Sequence, residues 1–572
     1  MPRADRGLTS FPYPRYGSRV GSIRLSRVSL PHVSTPLSLP APRIGALDGA
    51  RIPLPPIELV AETPELRVPR DEHDEPRAEG FAIEVRADAV RVVVADAAGE
   101  RHARALLEQL GAAGELRTGT VADWPELAER GVIEGFYGAP WSHAERLRLV
   151  AELGRLRMNR YVYAPKDDPY HRRRWRESYP EAEGAALAEL VAAAHAAGVE
   201  LVYALHPGLD MVHSDDADHA ALARKARELH ALGIRRFALL FDDIDEGLPD
   251  ARDCERFGEG VAGAGRAHGA SCTRFEAEVL EPLGIGGRLL MVPTHYAGSD
   301  STPYREGLVE TLAPRIGVFW TGDDIVVGAV TEVQTRRASR AFGGHPLVLW
   351  DNFPVNDFDR SRAFLGPLLG REPGLGRAGL DGIVANPMVE FEPSRFAIHT
   401  VAAWAWNPDA YDPAAAAEAA LHAVAGVDGE TLRPLVAAAS SWPPSAPQHP
   451  ELAAEVDAAV ADGGRIGPRL AELLDELDGL AGLETTTPLR AALRPWADAA
   501  PATTAVIRAA LAHVRGEASA DAVEAAWETA RTARHGLARD VARAVAERTL
   551  GRALPDRVRP EGEPAAAEAA GD

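Results

Sequence analysis

The segment ALLFDDIDEG, residues 238 to 247, runs apolar side chains straight into Asp242, Asp243, Asp245 and Glu246. Carboxylates this close repel one another. Burying one without a partner is costly or forces it to hold a proton. Such a cluster serves as a solvated loop, as a grip on a metal ion, or as a pair whose altered acidity is put to use. Asp242 and Asp243 are adjacent in an extended segment, where side chains alternate. They face opposite ways while the strand stays regular, and both reach one ligand only where it opens into a loop. There each raises the proton affinity of the other, and burial adds to the effect. That favours one ionised and one protonated carboxyl near neutral pH, the division of labour an acid catalyst needs. Asp245 and Glu246 read as a solvated loop or as charges at a helix N-terminus. Taken alone, the DDIDE cluster would also suit a hard divalent cation.

The elements that must carry these residues alternate. β-Type runs occur at GVIEGF, RYVYAPK, VELVYALHPG, RRFALLFDD, RLLMVPTHY, IGVFWTG, PLVLWDN and GIVANPM. Helical patterns such as SHAERLRLVAELGRL and HAALARKARELHALG separate most of them. Several runs are almost continuously apolar, as strands covered on both faces are. The pattern predicts an α/β fold, a (β/α)8 TIM barrel over residues 128–410, with an open doubly wound sheet as the alternative. No glycine-rich phosphate loop follows the first strand, which weakens a nucleotide-binding version. Ahead of the barrel, residues 46–127 read as a small α/β domain. Residues 1–45, rich in Pro, Arg and Ser, read as disordered or extended. Residues 411–558 are Ala-, Leu- and Glu-rich with helical spacing and read as a helical domain, followed by a disordered tail over 559–572.

In a barrel of this kind catalytic groups come from the C-terminal ends of the strands. Here those ends read EGFYG, APKDD, HPGLD, FDDID, PTHY, WDNFPVND and ANPM. Polar or aromatic groups at so many ends describe a pocket for a hydroxyl-rich ligand.

The motifs RGVIEGFYGAPWSHAERL, YAPKDDPYHRRRWRESYP, FALLFDDID, VPTHY, WDNFPVNDF and ANPMVEFEPSRFAIHTVAAWAWNP stand in this order. Together they resemble glycoside hydrolase family 84, the β-N-acetylglucosaminidases that include O-GlcNAcases and hyaluronidase-like enzymes. The resemblance runs from Gly131 to Pro408. It implies retaining, substrate-assisted catalysis, in which the 2-acetamido oxygen attacks the anomeric carbon to give an oxazoline. No cofactor and no metal is implied. By match to the paired aspartates, Asp242 would orient the acetamido N–H, and Asp243 would protonate the leaving oxygen and then activate water. The resemblance further assigns Gly135 a backbone carbonyl to a sugar hydroxyl and Lys166 a sugar contact or the orientation of the acid. Tyr296 would place its phenol near the oxazoline, and Trp350 would wall the acetamido methyl pocket. Asn352, Asp357 and Asn386 would hydrogen-bond the sugar. Three positions depart from the family pattern: His295 where an acidic residue is expected, Asp351 where an aromatic is common, and His206 where a small residue is usual.

The formal charge of -22, from 62 basic and 84 acidic residues, argues against broad binding to a nucleic-acid backbone. Two cysteines, Cys254 and Cys272, make neither a disulfide framework nor a zinc site. No apolar run approaches a membrane span and no signal-peptide core is visible, so a cytoplasmic location is expected. The expected partner is a β-linked GlcNAc glycoside or glycoprotein, with the oligomeric state open. The rival readings are a hyaluronan-type N-acetylhexosaminidase, a glycan-binding protein with a decayed site, and a metal-dependent lyase or transferase.

Overall fold

The computed structural model describes residues 42–111, 114–439, 442–446 and 448–559. Eight parallel strands close into a barrel: β1 (Glu129–Glu134), β2 (Arg160–Tyr163), β3 (Glu200–Leu205), β4 (Arg236–Leu240), β5 (Leu290–Val292), β6 (Gly317–Trp320), β7 (Leu347–Asp351) and β8 (Leu380–Ala385). Each strand pairs with the next, and β8 returns to β1. Alternation along the strands explains their continuous apolar character. Ile133, Val162, Val202, Leu240, Phe319 and Val384 fill the barrel. Their neighbours Val132, Tyr161, Tyr203, Leu239 and Ile383 face the surrounding helices. Closure removes the strand edges that an open sheet leaves exposed.

Helices cover the outside. His143–Arg155 starts with a capping box between Ser142 and Glu145, and Glu332–Ala341 with one between Thr331 and Gln334. Each box satisfies two backbone donors that a helix start leaves unpaired. The connection between β7 and β8 departs from the regular (β/α)8 plan. Residues 352–379 form no α-helix, only a short 3-10 turn at Gly376–Ala378.

The N-terminal region forms a five-stranded sheet in the order Ile44–Ala46, Gly119–Asp123, Phe81–Val85, Val90–Val94 and Ile57–Leu59. The helix Ala97–Leu110 packs against it through Ala103, Leu106 and Leu107. The edge strand Ile44–Ala46 shows that the end of the segment read as disordered or extended is paired backbone; its residues 1–41 lie outside the described residues. Trp406, from the last barrel helix, packs into the core of this sheet, and its indole Nε1 donates to Asp123 at 2.9 Å. Arg157 and Asp123, both buried, pair at 3.1 Å across the same junction.

Seven helices between Pro413 and Leu550 follow the barrel among the described residues. Most of the proposed tail, residues 560–572, lies outside the described residues. The helical region takes over what the missing seventh helix would do. Trp496 Nε1 and Gly536 N both donate to the Ser361 carbonyl, at 2.9 and 3.1 Å. Arg557 pairs with Asp359 at 2.8 Å. Trp442 meets Phe353 and Phe364 edge-on, with ring centroids 5.1 and 5.0 Å away. No helix among the described residues is long and apolar enough to cross a membrane.

Candidate active site

β4 ends at Leu240, and Asp242 and Asp243 follow at the mouth of the barrel. Asp243 adopts a left-handed backbone, with φ +53°. Single Asp residues tolerate this conformation better than most, but it still costs free energy, so surrounding contacts must hold it. The reversal breaks strand alternation and turns both carboxylates toward one lysine. Lys166 Nζ donates to Asp242 Oδ2 at 2.5 Å and lies 3.6 Å from Asp243 Oδ2.

The two carboxylates have different surroundings. Asp242 is 4% exposed. Burial pushes its carboxyl up, but the Lys166 ammonium outweighs that and holds it well below the usual carboxylate range. The mutual raising of proton affinity expected from adjacency is therefore reversed at Asp242, because a cation stands closer than the second carboxylate. Asp242 is therefore ionised. Its Oδ1 is buried with no hydrogen-bond partner in the protein. Asp243 is more open, its side chain 18% exposed. Two phenols donate to it: Tyr137 to Oδ2 at 2.6 Å and Tyr296 to Oδ1 at 3.0 Å. Burial pushes the Tyr137 hydroxyl up to about 12, with Lys166 working against that shift and Asp243 adding to it, so it stays a donor at neutral pH. Lys166 is buried, and the two aspartates overcome the cost of burying its charge and raise its affinity for the proton.

A second group forms the opposite wall. Trp350 Nε1 donates to Asn352 Oδ1 at 2.9 Å, and Asn386 Nδ2 donates to the same oxygen at 2.8 Å. Gly135 N donates to Asn386 Oδ1 at 3.3 Å, and Asn352 Nδ2 to the Ile325 carbonyl at 2.8 Å. Asp357, on the loop after β7, accepts from Tyr137 N at 2.8 Å, and burial pushes its carboxyl up. The nine positions singled out from sequence thus come from the ends of β1, β2, β4, β5, β7 and β8 and meet at one end of the barrel. Lys166 is 5.8 Å above the Trp350 ring, which ties the two walls together.

Tyr137 was missed in the sequence, although it stands inside the EGFYG motif two residues after Gly135. Gly135 itself is needed for a further reason: an added Cβ would lie 2.4 Å from Trp350 Cζ2. Gly135→Ala is therefore expected to displace the indole, lower stability by ~1–3 kcal/mol through overpacking, and raise KM; thermal melts and steady-state kinetics check both.

The three departures lie in different places. Asp351 points to the opposite side of β7 from Trp350 and forms a two-pronged ion pair with Arg371; both side chains are fully buried. It does not line the pocket. His295 stacks on Tyr304 and faces Thr302 Oγ1 at 3.0 Å, with Nε2 3.5 Å from the exposed Glu246. His206 is buried against Asp242. Asp245 and Glu246 are exposed.

A closed parallel barrel that gathers a carboxylate pair, a lysine and an aromatic wall at its strand ends has the architecture of a glycoside hydrolase. Residues 130–437 match the family described as beta-N-acetylglucosaminidase. The chain belongs to that family, glycoside hydrolase family 84. It is 39% identical over 280 residues to the protein O-GlcNAcases of Rattus norvegicus and Mus musculus, a stretch that makes up 48% of this chain and 29% of each relative. The match therefore spans less than a third of those relatives' own length. The structure titled CpGH84B shares the fold, with a TM-score of 0.76 at 23% identity over 89% of this chain and 99% of that one. An O-GlcNAc hydrolase mutant of Thermobaculum terrenum gives a TM-score of 0.66 at 26% identity, covering 74% of this chain and 94% of that chain.

Proposed function

We propose that the chain is a retaining exo-β-N-acetylglucosaminidase that removes terminal GlcNAc by substrate-assisted catalysis. The observation that carries this reading is the pairing of an ionised, buried Asp242 with a more open Asp243 around Lys166. In the first step the acetamido oxygen bonds to the anomeric carbon and the glycosidic C–O bond breaks. Asp242 accepts the acetamido N–H, which strengthens that oxygen as a nucleophile. Asp243 passes a proton to the leaving oxygen. Holding the nucleophile next to the anomeric carbon supplies proximity. In the second step Asp243 takes a proton from water as the water oxygen bonds to the anomeric carbon and the oxazoline opens. Tyr137 and Tyr296 orient Asp243, Trp350 walls the acetamido methyl, and Asn352, Asp357, Asn386 and the Gly135 carbonyl hold the sugar. The named relatives support a glycoprotein O-GlcNAc as substrate.

The test is turnover of an aryl β-N-acetylglucosaminide beside the matching aryl β-glucoside, with EDTA present. Hydrolysis of the acetamido substrate alone is expected. Equal turnover of the glucoside would point to a conventional glycosidase. Binding without turnover of either would point to a glycan-binding protein.

A further inference from the structure

The left-handed backbone at Asp243 needs something to hold it, and the contacts around it single out one side chain. Three consecutive main-chain groups are fixed in turn. Phe241 N donates to the Val292 carbonyl at 2.9 Å, and the Phe241 carbonyl accepts from Thr294 Oγ1 at 2.8 Å. The Asp242 carbonyl accepts from His206 Nε2 at 2.9 Å. This last carbonyl belongs to the peptide unit that joins the two aspartates. Fixing that plane sets ψ of Asp242 and φ of Asp243 together, and these two angles decide whether both carboxylates share a pocket.

His206 is itself rigid. It follows β3, it is fully buried, and its own N–H donates to the His171 carbonyl at 2.9 Å. Its Nδ1 is buried without a partner, which leaves Nε2 as the protonated nitrogen. Nε2 also lies 3.6 Å from Asp242 Oδ1.

We propose that His206 is a positioning residue that pins the peptide between Asp242 and Asp243 and so keeps both carboxylates in register with Lys166. The claim rests on the reading of the two aspartates as the reacting pair. His206→Ala, His206→Gln and wild type are compared with an aryl β-N-acetylglucosaminide. His206→Ala is expected to lower kcat by ~10²-fold with little change in KM, the cost of a small misplacement of reacting groups. His206→Gln, whose amide N–H reaches the same carbonyl, is expected to recover most of that loss. Unchanged kcat in His206→Ala, or a folded His206→Gln no better than the alanine variant, overturns the proposal. The wild-type protein gives a readout that does not depend on variant folding. Its ¹⁵N imidazole signals for His206 are expected to be those of a neutral ring with bare Nδ1, and the opposite tautomer overturns the proposal. If wild type hydrolyses no GlcNAc glycoside, the functional reading falls. The positioning claim is then judged by a crystal structure of His206→Ala, where a retained left-handed Asp243 overturns it and a relaxed one supports it.

Discussion

Asp243→Asn is expected to lower kcat/KM for an alkyl β-N-acetylglucosaminide by ~10³-fold, within the range of a positioned general acid. The amide cannot deliver a proton to an alkoxide. It also turns one of two acceptor oxygens into a donor, facing a phenol that already donates, from Tyr137 or from Tyr296. The loss shrinks as the leaving group improves, because a weakly basic phenolate departs without protonation. Asp242→Asn behaves differently. It acts on the acetamido group, so its loss is of similar size for every leaving group. A series of aryl and alkyl glycosides separates the two. A flat dependence for Asp243→Asn, or full activity on the alkyl substrate, would contradict the assignment of Asp243 as the acid.

Lys166→Met is expected to have the second-largest effect. Lys166 is the cation that holds Asp242 ionised against its own burial. Without it, desolvation prevails and the Asp242 carboxyl moves up. The acid limb of kcat/KM then shifts to higher pH by ~1–3 pH units. Stability changes in the same sense. In wild type the Asp242 carboxyl is depressed, so its contribution is complete above the ordinary carboxylate range and is lost as pH falls through its lower folded value. In Lys166→Met the carboxyl is raised, and the variant gains stability as pH falls. Near neutral pH the variant is destabilised by ~3–5 kcal/mol, the usual result of removing one partner of a buried pair. Melting curves from pH 4 to 8 check the sign. An unchanged acid limb would show that Lys166 does not set the charge on Asp242.

The barrel was legible because its strands are buried on both faces and separated by amphipathic helices, a pattern that survives without tertiary knowledge. The carboxylate pair was legible because its types and position leave few uses. Other features depend on contacts between distant segments. Nothing local to the FDDID motif announces a left-handed Asp243; the groups that hold it come from the ends of β3 and β5. Lys166 beside Asp167 and Asp168 reads as an exposed ion pair until the fold buries it against Asp242. The absent helix between β7 and β8 went unseen because another region of the chain stabilises the loop in its place. Asp351 could have been placed from sequence: alternation puts it opposite Trp350, and so away from the pocket.

That loop also limits how this chain can be rearranged. Asp357, which accepts from Tyr137 N, is carried on residues 352–379, and their packing partners include Trp442, Trp496 and Arg557. The barrel is therefore not a portable cassette. A gene fragment that stops at the last barrel helix would leave Phe353 and Phe364 without their tryptophan and Asp359 without its arginine. Shuffling or fusion at that boundary would detach part of the pocket from its scaffold, whereas additions beyond Arg557 leave the pocket's supports in place.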